Sequence, residues 1–288
     1  MLKNLSLITV VLLVTLSNTA LAQKKTTAPT GPLLTRTVTR HEVRRFGFGG
    51  TMTIIGAPHG SITIEGWSKN EIDLTADIEV QGATEEDMAV VAGVTGFLLD
   101  DDSNHMNLIT TGMHDKAYMR RAAKNFPKQL LSLPWKIDYK LRVPQVLDME
   151  INGGAGPINM SGVEGLLSLK ALQGDVTLSL TGRVANITIG AGTLNFIVPS
   201  HSWRGSGADV QVAVGQLNVD LPPGFSGDID ADILRTGKID NAFGLEGRER
   251  TSMSEKSLRA RAGVGGAYLK FTIGDGEIHF RKAIEKQP

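Results

Sequence analysis

The chain has no cysteine in 288 residues. That excludes a disulfide framework, a thiolate zinc site, an iron–sulfur cluster and a cysteine nucleophile. Neither sign of charge is in excess, since 30 basic residues face 30 acidic ones. A neutral balance gives no general attraction to nucleic acid, and no nucleic-acid partner is expected. Beyond the N-terminus no apolar run is long enough to span a bilayer, so no transmembrane helix is expected after signal cleavage. A strict every-third glycine is missing, which excludes collagen. What remains is an apolar fraction of 41%, enough for a packed core, and 33 glycines. That glycine content approaches twice the usual ~7% and implies many tight turns.

The N-terminus carries an address. Lys3 precedes a mostly Leu/Ile/Val run from Leu5 to Leu16, and Ala20-Leu21-Ala22 fits small-x-small cleavage before Gln23. Residues 1–22 therefore read as a secretory signal peptide, the run being short of the ~20 residues of a spanning helix. Residues 23–37, with Lys24, Lys25, threonines and prolines, read as a polar linker. Export without disulfides suits a bacterial envelope protein in the periplasm, at the cell surface or outside the cell.

The fold signal is a repeat. Gly156, Gly174 and Gly192 stand eighteen residues apart, and each opens an alternating strand. Ile158 and Met160, then Val176, Leu178 and Leu180, then Leu194, Phe196 and Val198 share one face. Leu167, Leu169 and Ala171 recur eighteen residues on as Ala185, Ile187 and Ile189. Two strands and two turns per period predict an all-β fold, a β-solenoid or β-helix with glycine at the corners. An antiparallel sandwich is the rival architecture. The pattern continues less regularly through Val210–Leu221, Ile229–Ile233, Gly237-Lys238-Ile239 and Leu269–Phe280. One domain over 38–283 results, irregular to about 143 and regular over 144–283. Its irregular part holds Gly60–Trp67, a longer strand through Ile72–Val80 and a helix capped by Thr84. It also contains an insertion at 112–134, and the regular part is interrupted by an excursion at 249–263.

The order Gly60-Ser-Ile-Thr-Ile-Glu-Gly66-Trp67, then Tyr139-Lys-Leu-Arg-Val-Pro144, then two-strand repeats from Met149-Glu-Ile-Asn-Gly153 resembles a known family. It is similar to the bacterial adhesin-like β-strand-repeat domain of unknown function, related to autotransporter adhesin heads. The resemblance covers roughly Met52 to Phe280. It implies an exported, non-enzymatic binding or scaffold domain, with adhesion as the analogy, and it supplies no catalytic residues. The partner expected is a surface ligand, glycan or envelope protein.

A search for chemistry returns few candidates. Asp228, Asp230 and Asp232 alternate with apolar residues, placing three carboxylates on one strand face roughly 6–7 Å apart. Polysaccharide-active β-helix enzymes use such faces, which makes this the enzymatic alternative. A structural periplasmic or envelope-stress role is a third reading. Asp100-Asp101-Asp102 lacks the Gly and Glu of a calcium loop and reads as a solvated turn. The six histidines show no metal spacing, and neither metal nor cofactor is expected. Lys116, Arg120 and Lys124 would line one helical face at i, i+4 spacing, where anionic lipid or lipopolysaccharide could make contact. Trp67 and Trp135 read as core or cap residues. Trp203, in the extension at 199–206, is the tryptophan to test for ligand contact.

Overall fold

A computed structural model of the protein describes residues 32–102, 104–248 and 254–283. The signal peptide, most of the linker and part of the 249–263 excursion lie outside the described residues. The described chain is all-β with two short α-helices. The N-terminal strands are β1 (Leu34–Arg45), β2 (Thr51–Ile55), β3 (Ile62–Trp67), β4 (Glu71–Gly82), β5 (Gly96–Asp102), β6 (His105–Thr111) and β7 (Trp135–Pro144). Helix α1 (Glu85–Ala92) follows β4. Helix α2 (Lys116–Ala122) and a 3₁₀ turn (Lys128–Ser132) lie between β6 and β7. Next come β8 (Asp148–Ala155), β9 (Ile158–Ser161), β10 (Gly165–Gln173), β11 (Val176–Ser179) and β12 (Gly182–Ile197). The chain ends with β13 (Arg204–Leu221), β14 (Gly227–Thr236), β15 (Ile239–Asn241), β16 (Ser257–Ala262) and β17 (Tyr268–Lys282). Among the described residues no helix is long and apolar enough to cross a membrane.

The strands pair into two ladders joined by β12, β13 and β17, which bend from one into the other. Across the first ladder the order is β5, β6, β2, β8, β10, the first halves of β12, β13 and β17, then β14 and β16. Across the second it is β1, β4, β7, β3, β9, β11, the second halves of β12, β13 and β17, then β15. Pairing is parallel along the middle and antiparallel at β5–β6, β14–β16, β1–β4 and β4–β7.

Alternation explains the core. Inward positions stack in register, so Ile54, Ile151, Leu169, Ile187, Val210 and Phe271 form one column of the first ladder. Leu141, Ile64, Met160, Leu178, Phe196, Val219 and Phe280 form one of the second. All of these are buried, each contributing about 1.5–3 kcal/mol relative to exposure.

The bend between ladders is made by stacked glycines. Gly156, Gly174, Gly192, Gly215 and Gly276 all have strongly positive φ. A Cβ on Gly174 (φ 138°) would stand 2.3 Å from the Gly156 carbonyl oxygen, and one on Gly192 would stand 2.1 Å from that of Gly174. Each of these glycines thus lies directly on the backbone of a glycine in the neighbouring strand.

Two expectations are corrected. The strands do not stack in sequence order, because β17 inserts between β13 and β14, and β2 and β3 sit between β6–β7 and β8–β9. Alternation specifies which face a residue takes but leaves its neighbour strand open. Strand β1 begins at Leu34, inside the span read as linker. Its residues are almost all exposed, so no apolar alternation marks it. The helix after Thr84 forms as expected over Glu85–Ala92, and the Thr84 side chain caps it by accepting from the Asp87 amide at 3.1 Å.

Candidate functional site

The second ladder carries a groove of about 700 Å³ on its outer face. Its floor comes from outward positions of β3, β9 and β11: Thr63 and Glu65, Asn159 and Ser161, Thr177 and Ser179. Register aligns them into two rows, Thr63–Asn159–Thr177 and Glu65–Ser161–Ser179. Neighbouring strands are about 5 Å apart, so the rows repeat hydrogen-bonding groups at that spacing. The first row continues as Asn195 and Asn218. Asn218 donates to Asn195 at 2.9 Å, and Asn195 donates to Thr177 at 3.3 Å.

One wall of the groove is an added loop. From β10 to β12 the paired residues advance by eighteen positions, but from β12 to β13 they advance by twenty-three. Most of the extra residues form the segment after Ile197, whose Pro199 and His201 overhang the floor with Pro222 and Pro223, and one more is a bulge at the start of β13. His201 Nδ1 lies 2.8 Å from the Pro223 carbonyl, and the Ser226 amide donates to the His201 carbonyl at 2.8 Å. Trp203 anchors this wall from below. It is buried, stacks on Phe196 at 5.7 Å between ring centroids, and donates from Nε1 to the Arg183 carbonyl at 3.1 Å. Arg183 itself has φ 77°, an uncommon conformation for a residue with a side chain. Trp203 therefore supports the groove and offers no face to it.

The three aspartates meet arginines. Strand β16 runs antiparallel to β14 and sets Arg261, Arg259 and Ser257 opposite Asp228, Asp230 and Asp232. Arg261 donates to Asp228 at 2.9 Å, and Arg259 reaches Asp230 at 3.1 Å and Asp232 at 2.7 Å. Arg248 also pairs with Asp230, and Tyr268 donates its hydroxyl to Asp230 at 2.6 Å. The Arg261 hydrogen bond holds the Asp228 carboxyl below the usual range. The Asp230 hydrogen bond, helped by burial, pushes the Tyr268 phenol up to about 12. These carboxylates act as the anionic half of an ion-paired antiparallel strand pair.

Lys116, Arg120 and Lys124 do not share one helical face. Helix α2 ends at Ala122, with Ala123 leaving helical geometry, so Lys116 and Arg120 lie on the helix and Lys124 beyond it. All three are exposed. Asp102 ends β5 and accepts from the His105 amide at 3.1 Å, as a polar turn residue does.

The groove floor escaped the sequence reading because its residues look like ordinary solvated positions. The recurrence of Asn159, Thr177 and Asn195 at the glycine spacing was the available signal. The wall was marked only by the longer step between β12 and β13.

No family model matches the chain, and no curated protein matches it. Among solved structures, a candidate cell adhesion protein from Clostridium sporogenes aligns at 12% identity and TM-score 0.42, covering 85% of this chain and 100% of that one. A candidate adhesin from Bacteroides fragilis aligns at 13% identity and TM-score 0.33, covering 85% and 97%. A candidate adhesin from Parabacteroides merdae aligns at 12% identity and TM-score 0.26, covering 88% and 98%.

Proposed function

We propose that the protein is an exported, non-catalytic binding module of the bacterial envelope, built as a two-faced β-solenoid with inserted coils. Its ligand would be an extended, uncharged polyhydroxylated chain, a glycan segment lying in the groove of the second ladder. The observation that carries this reading is the floor itself. Thr63, Asn159, Ser161 and Ser179 present side chains to solvent or to the cleft in two regular rows. Repeated hydroxyls and amides suit a polymer with hydroxyls at every repeat, and the Pro199, Pro222 and Pro223 wall offers apolar surface for sugar C–H faces. A body of stacked coils holds such rows rigidly, which limits the ordering cost of binding. The ion-paired state of Asp228, Asp230 and Asp232 supports a binding role over general acid–base work by that face.

The test is a glycan array with the mature chain, followed by titration calorimetry on the best glycan. Asn159→Arg and Ser161→Arg fill the floor without touching the core and are expected to weaken binding roughly tenfold, the cost of one or two lost hydrogen bonds. Retained affinity in both variants, or an array without signal, would defeat the reading. Cell fractionation with surface proteolysis checks export separately.

A further inference from the structure

The insertion between β6 and β7 has a character unlike the rest of the surface. Lys116, Arg120, Arg121, Lys124 and Lys128 are all exposed, and none forms an ion pair among the described residues. Many arginines elsewhere sit on carboxylates, as Arg235 does on Asp275 and Arg281 on Asp220. The insertion has one acid, Asp115, and it is already engaged. Its carboxylate caps α2, accepting from the amides of Ala117 at 2.8 Å and Tyr118 at 3.0 Å. Five cations within thirteen residues therefore face one local carboxylate, Asp115, which Arg121 lies near enough to feel, and the balance is strongly positive.

A partly apolar cleft adjoins them. The insertion folds against β4 and β7 and leaves a cleft of about 510 Å³, with Met113, Leu131, Leu133 and Trp135 as its apolar lining and the ion-paired Glu79 and Lys136 among its polar lining. Leu131 is 48% exposed despite being aliphatic. It shares the 3₁₀ turn with Lys128. Residues three apart eclipse in such a turn, so the Lys128 stem lies on the side of Leu131. His114 packs on the Trp135 ring at 5.3 Å, and burial lowers its pKa, so near neutral pH it adds apolar surface more than charge.

We propose that the insertion seats the protein on an anionic lipid surface, with the five cations on headgroup phosphates and Leu131 and the adjoining cleft taking apolar lipid. Charge complementarity selects the occupant. Each cation close to an anionic leaflet adds favourable energy. Long lysine and arginine stems let the charges reach phosphate while their carbons cover apolar surface. A soluble polyanion would use the charges and leave the cleft idle.

The experiment is co-sedimentation of the mature chain with vesicles of phosphatidylglycerol and phosphatidylcholine, against vesicles of phosphatidylcholine alone. Binding to the anionic vesicles, falling as salt is raised, is expected. The triple variant Lys116→Glu, Arg120→Glu, Lys124→Glu should bind roughly tenfold or more weakly. Leu131→Gln should weaken binding without changing the salt dependence. Lys170→Glu, on the exposed face of β10, should bind as the parent does, and melting curves confirm that each variant is folded. Equal binding to neutral vesicles, no binding to anionic ones, an unaffected triple variant, or binding to a sulfated polysaccharide but to no vesicle would each overturn the proposal. Groove glycan binding should persist in the triple variant, which separates this result from the fate of the groove.

Discussion

At the scale of single residues, backbone packing and buried polar groups give the sharpest expectations. Gly174 has φ 138°, and a Cβ there would meet the Gly156 carbonyl oxygen at 2.3 Å. Backbone cannot yield as a side-chain tip can, so Gly174→Ala should cost roughly 3 kcal/mol or more. Gly47 has open space around its Cβ position and no positive φ, so Gly47→Ala should stay within ~0.5 kcal/mol. Urea melts of the pair test whether the stacked corners, rather than glycine content alone, hold the coil. Tyr139 offers a pH test. Burial pushes its pKa from 10.0 up to about 12, and it shares a 2.8 Å hydrogen bond with Thr110. The folded state holds the phenolic proton more tightly than the unfolded chain. Its stabilisation is complete below pH 10 and is lost as pH rises toward about 12. Tyr139→Phe should flatten that alkaline loss, while costing ~1 kcal/mol at neutral pH because Thr110 loses its partner. Denaturant melts across the alkaline range read both effects.

At the scale of elements, the antiparallel β14–β16 pair is held by alternating charge. Asp230 lies between Arg248, Arg259 and the Tyr268 hydroxyl. The hydrogen bond to Asp230 is the largest cause of the raised Tyr268 pKa, ahead of burial. Asp230→Asn should therefore let Tyr268 ionise closer to its ordinary 10.0, read as an earlier phenolate signal in an ultraviolet pH titration. The same change should lower stability by about 1 kcal/mol, since these groups are partly solvated and screened. A Tyr268 titration that does not move would assign the shift to burial instead. Helix α2 is seven residues long, too short to persist without support, and Asp115 supplies part of that support. Asp115→Ala should loosen the first turn of α2, because two amides lose their acceptor. Hydrogen exchange at the Ala117 and Tyr118 amides should quicken while the global melt changes little.

At the scale of the whole molecule, sequence was informative where neighbours in space are neighbours in the repeat. The spacing of Gly156, Gly174 and Gly192 anticipates the pairings of β8, β10 and β12 because β10 and β12 each pair with the strand eighteen residues before them. The groove floor stayed hidden because Thr63 and Ser161 occupy outward positions that any solvated strand fills with polar residues. The α2 boundary was missed because Lys124 keeps i, i+4 spacing after the backbone has left the helix. The place of β17 was illegible for a deeper reason. Phe271 pairs with Val210 on one side and Ala231 on the other, and nothing local specifies such distant partners. This insertion has a mechanical consequence. In a coil wound in sequence order, removing the last strand exposes one edge. Here a chain ending at Ala267 would lose the strand that joins β13 to β14 and β15. It would also lose Leu269, Phe271, Ile273, Ile278 and Phe280, all fully buried. At about 1.5–3 kcal/mol each, that loss is comparable with the ~5–15 kcal/mol total stability of a typical domain. The truncated chain should show no cooperative thermal transition. A chain beginning at Phe46 loses only the exposed β1 and should still melt cooperatively at a modestly lower temperature. Cooperative melting of the chain ending at Ala267 would mean that β14 can dock on β13 directly, and that β17 covers the stack instead of joining it.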